Sequence, residues 1–478
     1  MNQYFLTTSI HYTNGEPHIG HALEYVLADV YARHNRQIGK QVIFSIGTDE
    51  HGEKIAEKAQ QNNLSNQEFV DQISSKFVTL AKALNISYNR FIRTTDEAHQ
   101  QRVQFIWQKL SKDIYKSEYE GWYCVGDEAF FTEKEVKANN GICPNHNRPY
   151  QKLKEENYFF RLSKYQEQIF EAINNNKFKI YPDTKRNEIL SLISEGLDDI
   201  SISRPKKKIA WGIDVPGDQN QIIYVWFEAL LNYITVLGYP EHSDFAQYWP
   251  ANLQIIGKDI IRFHAATWPA MLLSLGLELP KELYVHGFIN VDGKKMSKSL
   301  NNMINPLPII EKYGSDALRY FLIRHIPSST DGNFTILAFK DSFNHELANE
   351  LGNLILRVGA MINNYQNGTI VNVPPPEHDI TSYRLAFKKY HLDQALDEVF
   401  KQIRGLNQYI EETKPWEVYK QKDPEHLKEI LSYLVSSILE IAELLIPFMP
   451  ETANKIQDIF LGSKIPAIID PLFPKIMD

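Results

Sequence analysis

Thr7-Thr8-Ser9-Ile10-His11-Tyr12-Thr13-Asn14-Gly15-Glu16-Pro17-His18-Ile19-Gly20-His21 is the stretch on which the fold turns. Thr7–Tyr12 reads as a short strand, Asn14-Gly15-Glu16-Pro17 as a turn, and His18 to Arg36 as a helix with apolar residues at helical spacing. A strand, loop and helix in that order present a helix N-terminus. Unpaired backbone N–H groups and the positive end of the helix dipole favour phosphate there. His18 and His21, three residues apart, share one face of the first turn. Gly20, lacking Cβ, lets a base or ribose lie against the backbone. Taken alone, two histidines at a helix start also fit a solvated cap.

Working outward, Gln41-Val42-Ile43-Phe44-Ser45-Ile46 is an apolar strand that runs into Gly47-Thr48-Asp49-Glu50-His51-Gly52. Strands alternating with helices up to about residue 115 argue for an α/β domain with a doubly wound parallel sheet, Rossmann-like, and with its ligand beyond the carboxyl ends of the strands. From 116 to 210 the texture changes to short aromatic runs, two cysteines and the turn Asn139-Asn140-Gly141, which reads as an inserted connective module. The α/β pattern resumes with the strands Gln221-Ile222-Ile223-Tyr224-Val225-Trp226 and Gln254-Ile255-Ile256-Gly257 over 211–275. A segment at 276–335 carries a lysine-rich loop. The stretch 336–478 reads as amphipathic helices, broken at Val373-Pro374-Pro375-Pro376 and Ile446-Pro447, and so as an α-helical bundle.

The lysine-rich loop is Lys295-Met296-Ser297-Lys298-Ser299, delivered by the hairpin-like turn Val291-Asp292-Gly293-Lys294. Paired lysines on a loop suit a triphosphate whose charge peaks in the transition state of in-line displacement. A solvated basic loop is the plainer reading of the lysines alone. Composition sets the frame. The 478 residues call for two to four domains, and 43% hydrophobic with 23% charged residues is ordinary for a globular protein. A net charge of −8 neither requires nor forbids nucleic acid, since a basic stripe can sit on an acidic body. With no leader-like segment and no apolar run of spanning length, the expectation is a cytoplasmic chain without membrane contact. Two cysteines are too few for a disulfide scaffold.

His18-Ile19-Gly20-His21 and Lys295-Met296-Ser297-Lys298-Ser299 together resemble the signatures of class I aminoacyl-tRNA synthetases. The resemblance is strongest to methionyl-tRNA synthetases and extends over nearly the whole chain. It is carried further by Tyr12, Asn14-Gly15, residues 47–52, Tyr224-Val225-Trp226-Phe227-Glu228-Ala229, Ile256-Gly257-Lys258-Asp259, Phe263-His264, Asn349-Glu350-Leu351-Gly352-Asn353-Leu354 and Lys414-Pro415-Trp416. The resemblance implies a methionine-tRNA ligase using L-methionine, ATP with Mg²⁺, and tRNA(Met). His18, His21, Lys295 and Lys298 would be catalytic. Gly20, Gly257, Lys258, Asp259, His286, Gly287, Met296, Ser297 and Ser299 would complete the ATP site, with Arg204 bracing it. Methionine would sit among Ile10, Tyr12, Trp226, Ala229, Tyr233 and His264, its α-ammonium on Asp49. A thioether suits such aromatic walls. Singly, Trp226 or Tyr233 reads as core and Asp49 as a helix cap.

The resemblance also places Asn353, Arg357, Pro415 and Trp416 at the anticodon, with Trp416 stacking on a base; without it, Trp416 reads as core. Cys124-x-x-Asp127 and Cys143-x-x-His146 stand where the family often has a zinc knuckle, with Asp127 in place of a cysteine. Two sulfurs, one nitrogen and one oxygen can still hold Zn²⁺ tetrahedrally. The alternative is a relict knuckle held by packing. Glu228 stands where relatives commonly have Asp. The chain ends without an appended basic or OB-like module, so a monomer is expected. A small-molecule nucleotidylyltransferase would share the first motif but neither the second nor the helical region. A non-catalytic RNA-binding paralogue would show a decayed signature, and both are intact.

Overall fold

The structure is a computed structural model, and residues 2–124, 129–131, 133–144, 147–207, 211–296, 302–370 and 379–476 are described. The chain forms two compact units. The first comprises 1–17, 40–79 and 88–285, and the second 18–39, 80–87 and 286–478.

The first unit is built on a parallel sheet of β1 (Gln3–Thr8), β2 (His11–Tyr12), β3 (Gln41–Asp49), β4 (Arg90–Arg93), β5 (Lys179–Tyr181), β6 (Leu253–Gly257) and β7 (Glu282–His286). The order is β5-β7-β6-β1-β3, and β3 also pairs with β2 and β4. Thr7 faces Ser45 whereas His11 faces Thr48, so β2 continues β1 along β3 after a slip of one residue. The single strand expected over 7–12 is therefore interrupted at Ser9-Ile10. β1, β3 and β6 are buried along most of their length, as parallel strands covered on both faces must be. A large core joins Val103, Trp107, Phe160, Phe227, Tyr233, Ala265, Trp268 and Val285.

One expected strand is only half present and lies outside the parallel sheet. Asp218–Ile223 pairs antiparallel with Ser203–Pro205 and Asp214–Val215 in a separate three-stranded sheet, and Val225–Leu230 is a helix. Residues 221–226 do not extend the parallel sheet. A six-residue apolar run is too short to tell period 2 from period 3.6, and its β-branched and aromatic residues imitate a strand. The strand Gln254–Gly257 is present as β6, parallel to β1.

The second unit contains α1 (Ile19–Gln37), which matches the helix expected from His18. Ile289–Val291 and Lys294–Lys295 form the expected hairpin, turning at Asp292 (φ 49°) and Gly293 (φ 73°). That pair of positive φ values is the two-residue turn suited to hairpin twist. Helices Ser315–Arg324, Leu392–Thr413, Pro424–Leu445 and Pro450–Phe460 pack together, and Ser315–Arg324 also packs on α1. The break at Ile446-Pro447 is present, since Pro424–Leu445 ends there. The break at 373–376 lies outside the described residues.

A fully buried ion pair ties this unit together. Arg319 Nη1 lies 2.8 Å from Asp29 Oδ2, and neither side chain reaches solvent. Arg319 also donates to the carbonyls of Phe448 (2.8 Å), Pro447 (2.9 Å) and Leu84 (3.2 Å). The first two follow the end of Pro424–Leu445, where a helix leaves carbonyls without intrahelical donors. Asp29 in turn accepts from Arg33 Nε (2.7 Å), Ser87 N (2.7 Å) and Ser87 Oγ (2.6 Å). Burial alone would raise the Asp29 carboxyl, but the Arg319 and Arg33 guanidinium groups and the Ser87 hydrogen bonds hold it below its ordinary 3.8. The contribution of a carboxyl so depressed is complete above pH 3.8 and is lost as pH falls through the lower folded value. Denaturant midpoints measured downward from about pH 5 should fall steeply for the wild type and less steeply for Asp29→Asn.

Candidate active site

In the first unit, candidate residues gather at the carboxyl ends of β1, β3 and β6, the edge where open parallel sheets bind ligands. Tyr12 is paired directly with Asp49, and Thr13 donates to the Asp49 carbonyl through both N and Oγ1 at 3.0 Å. Asp49 is buried at the end of β3, while Ile10 and Tyr12 are partly exposed. A Cβ on Gly47 would fall 2.2 Å from the Ile92 carbonyl and 3.0 Å from Ile10 Cγ2, so glycine there permits the close approach of β3 and β4. At the end of β6, Gly257 leads into a short turn of helix, Lys258–Ile260, with Lys258 half-buried and Asp259 exposed.

The helix Val225–Leu230 carries Trp226 and Ala229. Trp226 stacks on Phe263, with ring centroids 4.4 Å apart and planes at 3°. Phe263 opens a π-helical turn, Phe263–Thr267, a wider winding that recurs at functional sites. Within it His264 Nδ1 lies 3.0 Å from the Ile260 carbonyl, an acceptor, so Nδ1 carries the hydrogen. Nε2 therefore accepts from the Tyr233 hydroxyl at 2.6 Å. Tyr233 and His264 are both buried. Ile10, Tyr12, Trp226, Ala229, Tyr233 and His264 thus supply apolar, aromatic and polar surface, with Asp49 as the one carboxylate among them.

Two further groups were marked in sequence only through the family resemblance. Arg204, buried, sits 4.1 Å from the Tyr224 ring centroid and donates to Ser203 O (2.7 Å) and Ser201 Oγ (2.9 Å). With Tyr123, Trp211, His51 and Val225 it lines a small, partly open cleft. Glu228, fully buried, accepts from His51 Nδ1 at 2.7 Å and His99 Nε2 at 3.1 Å. Burial pushes the Glu228 carboxyl up, but His51 and His99 more than offset it and hold it below its ordinary range.

In the second unit the two signature histidines cap α1. His18 Nδ1 accepts from Gly20 N at 3.1 Å, and His21 Nδ1 accepts from His18 N at 3.0 Å; the rings stack at 3.8 Å. The neutral rings therefore carry their hydrogens on Nε2. The expectation of unpaired amides at this helix start is corrected. Ile19 N donates to Ile304 O, Gly20 N to the His18 ring, and His21 N and Ala22 N to His18 O. The His18 side chain and carbonyl at the N-cap position and the Ile304 carbonyl satisfy those amides.

A Cβ on Gly20 would sit 3.5 Å from Met296 Cε, so the start of the lysine-rich motif lies against the histidine turn. Lys295 is exposed, with Nζ 5.5 Å from the Phe288 ring centroid. Ser297, Lys298 and Ser299 lie outside the described residues. His286, buried, approaches Glu24 Oε2 on α1 at 3.0 Å through Nε2 and the Gly287 carbonyl at 2.8 Å through Nδ1. A Cβ on Gly287 would meet Thr330 O at 2.2 Å, so glycine is required there.

The family model "tRNA synthetases class I (M)" matches residues 4–152 and 147–359. The chain belongs to the methionyl-tRNA synthetase family of class I synthetases. The methionine-tRNA ligase of Thermotoga maritima is 41% identical over 471 residues, covering 95% of this chain and 74% of its own. That of Rickettsia bellii is 41% identical over 474 residues, covering 96% and 92%. The Mycobacterium tuberculosis methionyl-tRNA synthetase, solved in complex with methionyl-adenylate, superposes with a TM-score of 0.92 at 36% identity, over 99% of this chain and 100% of that one. The Rossmann-like fold expected from residues 7–21 is thereby that of a methionyl-tRNA synthetase.

The helical region of this synthetase presents the other candidate residues. Asn353 is exposed at the start of Asn353–Gln366, and Arg357, one turn on, pairs with Glu411 at 2.7 Å. Pro415–Lys420 begins after Lys414 in the left-handed region (φ 46°), with Pro415 buried and Trp416 half-buried. The two helices pack on each other. In the insertion, Cys124 and Cys143 are buried in one small hydrophobic cluster with Val136 and Tyr150, an environment open to both the zinc knuckle and the knuckle held by packing. Asp127 and His146 lie outside the described residues, and no group of three metal-ligating side chains occurs among the described ones.

Proposed function

We propose that the chain activates L-methionine with ATP and transfers it to tRNA(Met). The observation that carries this reading is the capped turn His18-Ile19-Gly20-His21, in which both imidazoles use Nδ1 in the cap and Met296 of the second signature rests on Gly20. The methionine carboxylate attacks the ATP α-phosphorus in line, and pyrophosphate leaves. The tRNA terminal ribose hydroxyl then attacks the mixed anhydride and AMP leaves. No protein nucleophile is needed, and catalysis is orientation plus stabilisation of developing phosphate charge.

His18 and His21 donate to phosphate oxygens, and Lys295 and Lys298 neutralise the departing pyrophosphate, with Mg²⁺ accompanying the nucleotide. Gly20, Gly257, Lys258, Asp259, His286 and Gly287 bound the nucleotide, as do residues 296, 297 and 299. The aromatic walls around Trp226 and the Tyr233–His264 pair suit an uncharged thioether, and Asp49 suits the α-ammonium. The proposed functional division of the chain falls at 115, 210, 275 and 335. Zinc held by Cys124, Cys143, Asp127 and His146 would have a structural role in the insertion. Among the described residues, no helix is long and apolar enough to cross a membrane.

Asn353, Arg357, Pro415 and Trp416 are assigned to the anticodon CAU. Stacking on an aromatic ring is worth about 1–3 kcal/mol per base. Trp416→Ala should therefore lower kcat/KM for tRNA(Met) charging by roughly 10- to 100-fold. The loss falls on charging; an equal loss in methionine-dependent pyrophosphate exchange would place Trp416 in folding instead.

A further inference from the structure

We propose that Glu228 is a positioning residue for the amino-acid substrate, clamping the helix that carries Trp226 and Ala229 to the segment that follows Asp49. This inference rests on the methionine-activation reading and deepens it.

The geometry is a three-way joint inside the first unit. Glu228 lies on Val225–Leu230, between two candidate pocket residues. One oxygen receives His51 Nδ1 at 2.7 Å, two residues beyond Asp49 at the end of β3. The other receives His99 Nε2 at 3.1 Å from the helix Glu97–Lys109, and His99 Nδ1 meets Thr235 Oγ1 at 2.8 Å. Thr235 closes the short helix Asn232–Thr235, so His99 also links the joint to that helix. Asn232 Nδ2 donates to the Ala229 carbonyl at 2.6 Å, which fixes the end of Val225–Leu230. Glu228, His51 and His99 are at most 3% exposed, so the bonds form out of reach of competing water.

Each imidazole can be reached because Glu is long. The two partners come from a loop and a helix, and one carboxylate must present an oxygen to each. An aspartate here would retain the charge, but its carboxylate stands one methylene nearer the helix backbone. Trp211 extends the joint on the far side: its ring packs edge-on to His51 at 5.4 Å, and its Nε1 donates to the Glu50 carbonyl at 2.5 Å. The segment Asp49-Glu50-His51 is therefore held at both of its last two residues, while Asp49 is fixed through Thr13. Loss of the Glu228 charge would loosen the relation between the α-ammonium partner and the side-chain wall, without touching any group assigned to ATP.

The test is steady-state pyrophosphate exchange on the full chain with Glu228→Gln and Glu228→Asp, together with thermal melts. Glu228→Gln should raise KM for methionine by roughly tenfold or more, the scale of lost charge-assisted hydrogen bonds, with KM for ATP within about twofold. Glu228→Asp should fall between it and the wild type. A purely structural residue would instead lower the melting temperature or the active fraction and leave KM for methionine unchanged in the folded protein, which would overturn the proposal. So would equal rises in both KM values. If Glu228→Gln does not fold, His99→Asn provides the same readout with the His51 bond kept: a raised KM for methionine supports the clamp and an unchanged one overturns it. A wild type that activates a different amino acid overturns the methionine reading alone, and KM for that amino acid then decides the clamp. A wild type that exchanges with none overturns both.

Discussion

His18→Asn leaves α1 as stable as in the wild type and lowers kcat for methionine-dependent pyrophosphate exchange by roughly 10²–10³. The two halves of this result come from different atoms of one side chain. His18 Nδ1 caps the helix by accepting from Gly20 N. Asparagine is among the best N-cap residues and supplies an acceptor at the same position, so the cap survives. What it does not supply is the second ring nitrogen, Nε2, of an imidazole stacked on His21. A preorganised donor to a phosphoryl transition state is worth about 2.7–4 kcal/mol. His18→Ala removes both functions and adds about 1 kcal/mol of lost capping. Melting temperature and kcat, measured on both variants, separate the roles; equal losses of stability in the two would contradict the assignment.

Arg319→Met lowers the unfolding free energy by about 3–5 kcal/mol, the cost of leaving a buried carboxylate without its partner. The guanidinium is fully buried and meets Asp29 and three carbonyls, all in the second unit. Methionine fills the volume but abandons all four acceptors. Adding Asp29→Asn to Arg319→Met should recover part of the loss, because the uncompensated charge goes while an acceptor for Ser87 remains. Urea denaturation of the single and double variants checks this. An Arg319→Met protein within about 1 kcal/mol of wild type would show that the pair is replaceable by packing alone.

What could be read from sequence was local. Residues 7–21 showed a strand, turn and helix because the turn residues and the 3.6-residue spacing lie within a few positions of each other, and α1 begins at Ile19 as expected. The hairpin at Asp292-Gly293 was legible for the same reason. The helix Val225–Leu230 was not, since its composition suits either state and its neighbours in space decide. The π-helical turn that orients His264 has no sequence mark. Nor did the polar groups that matter most: Asp29 meets Arg319, and His99 meets Glu228, across long stretches of chain. Glu228 stood out only as a departure from a family pattern with a longer reach, and the structure gives that reach two imidazole partners. The capping role of His18 was named as an alternative to phosphate binding; the ring performs the first with Nδ1 and has Nε2 for the second.

Activation of methionine by this chain is open to a direct measurement. Purified protein with ATP and labelled pyrophosphate, challenged with each of the twenty amino acids in turn, tests it most directly. Label should enter ATP with methionine and not with leucine, isoleucine, valine or cysteine. Exchange driven by another amino acid and not by methionine, or by none, would contradict the account.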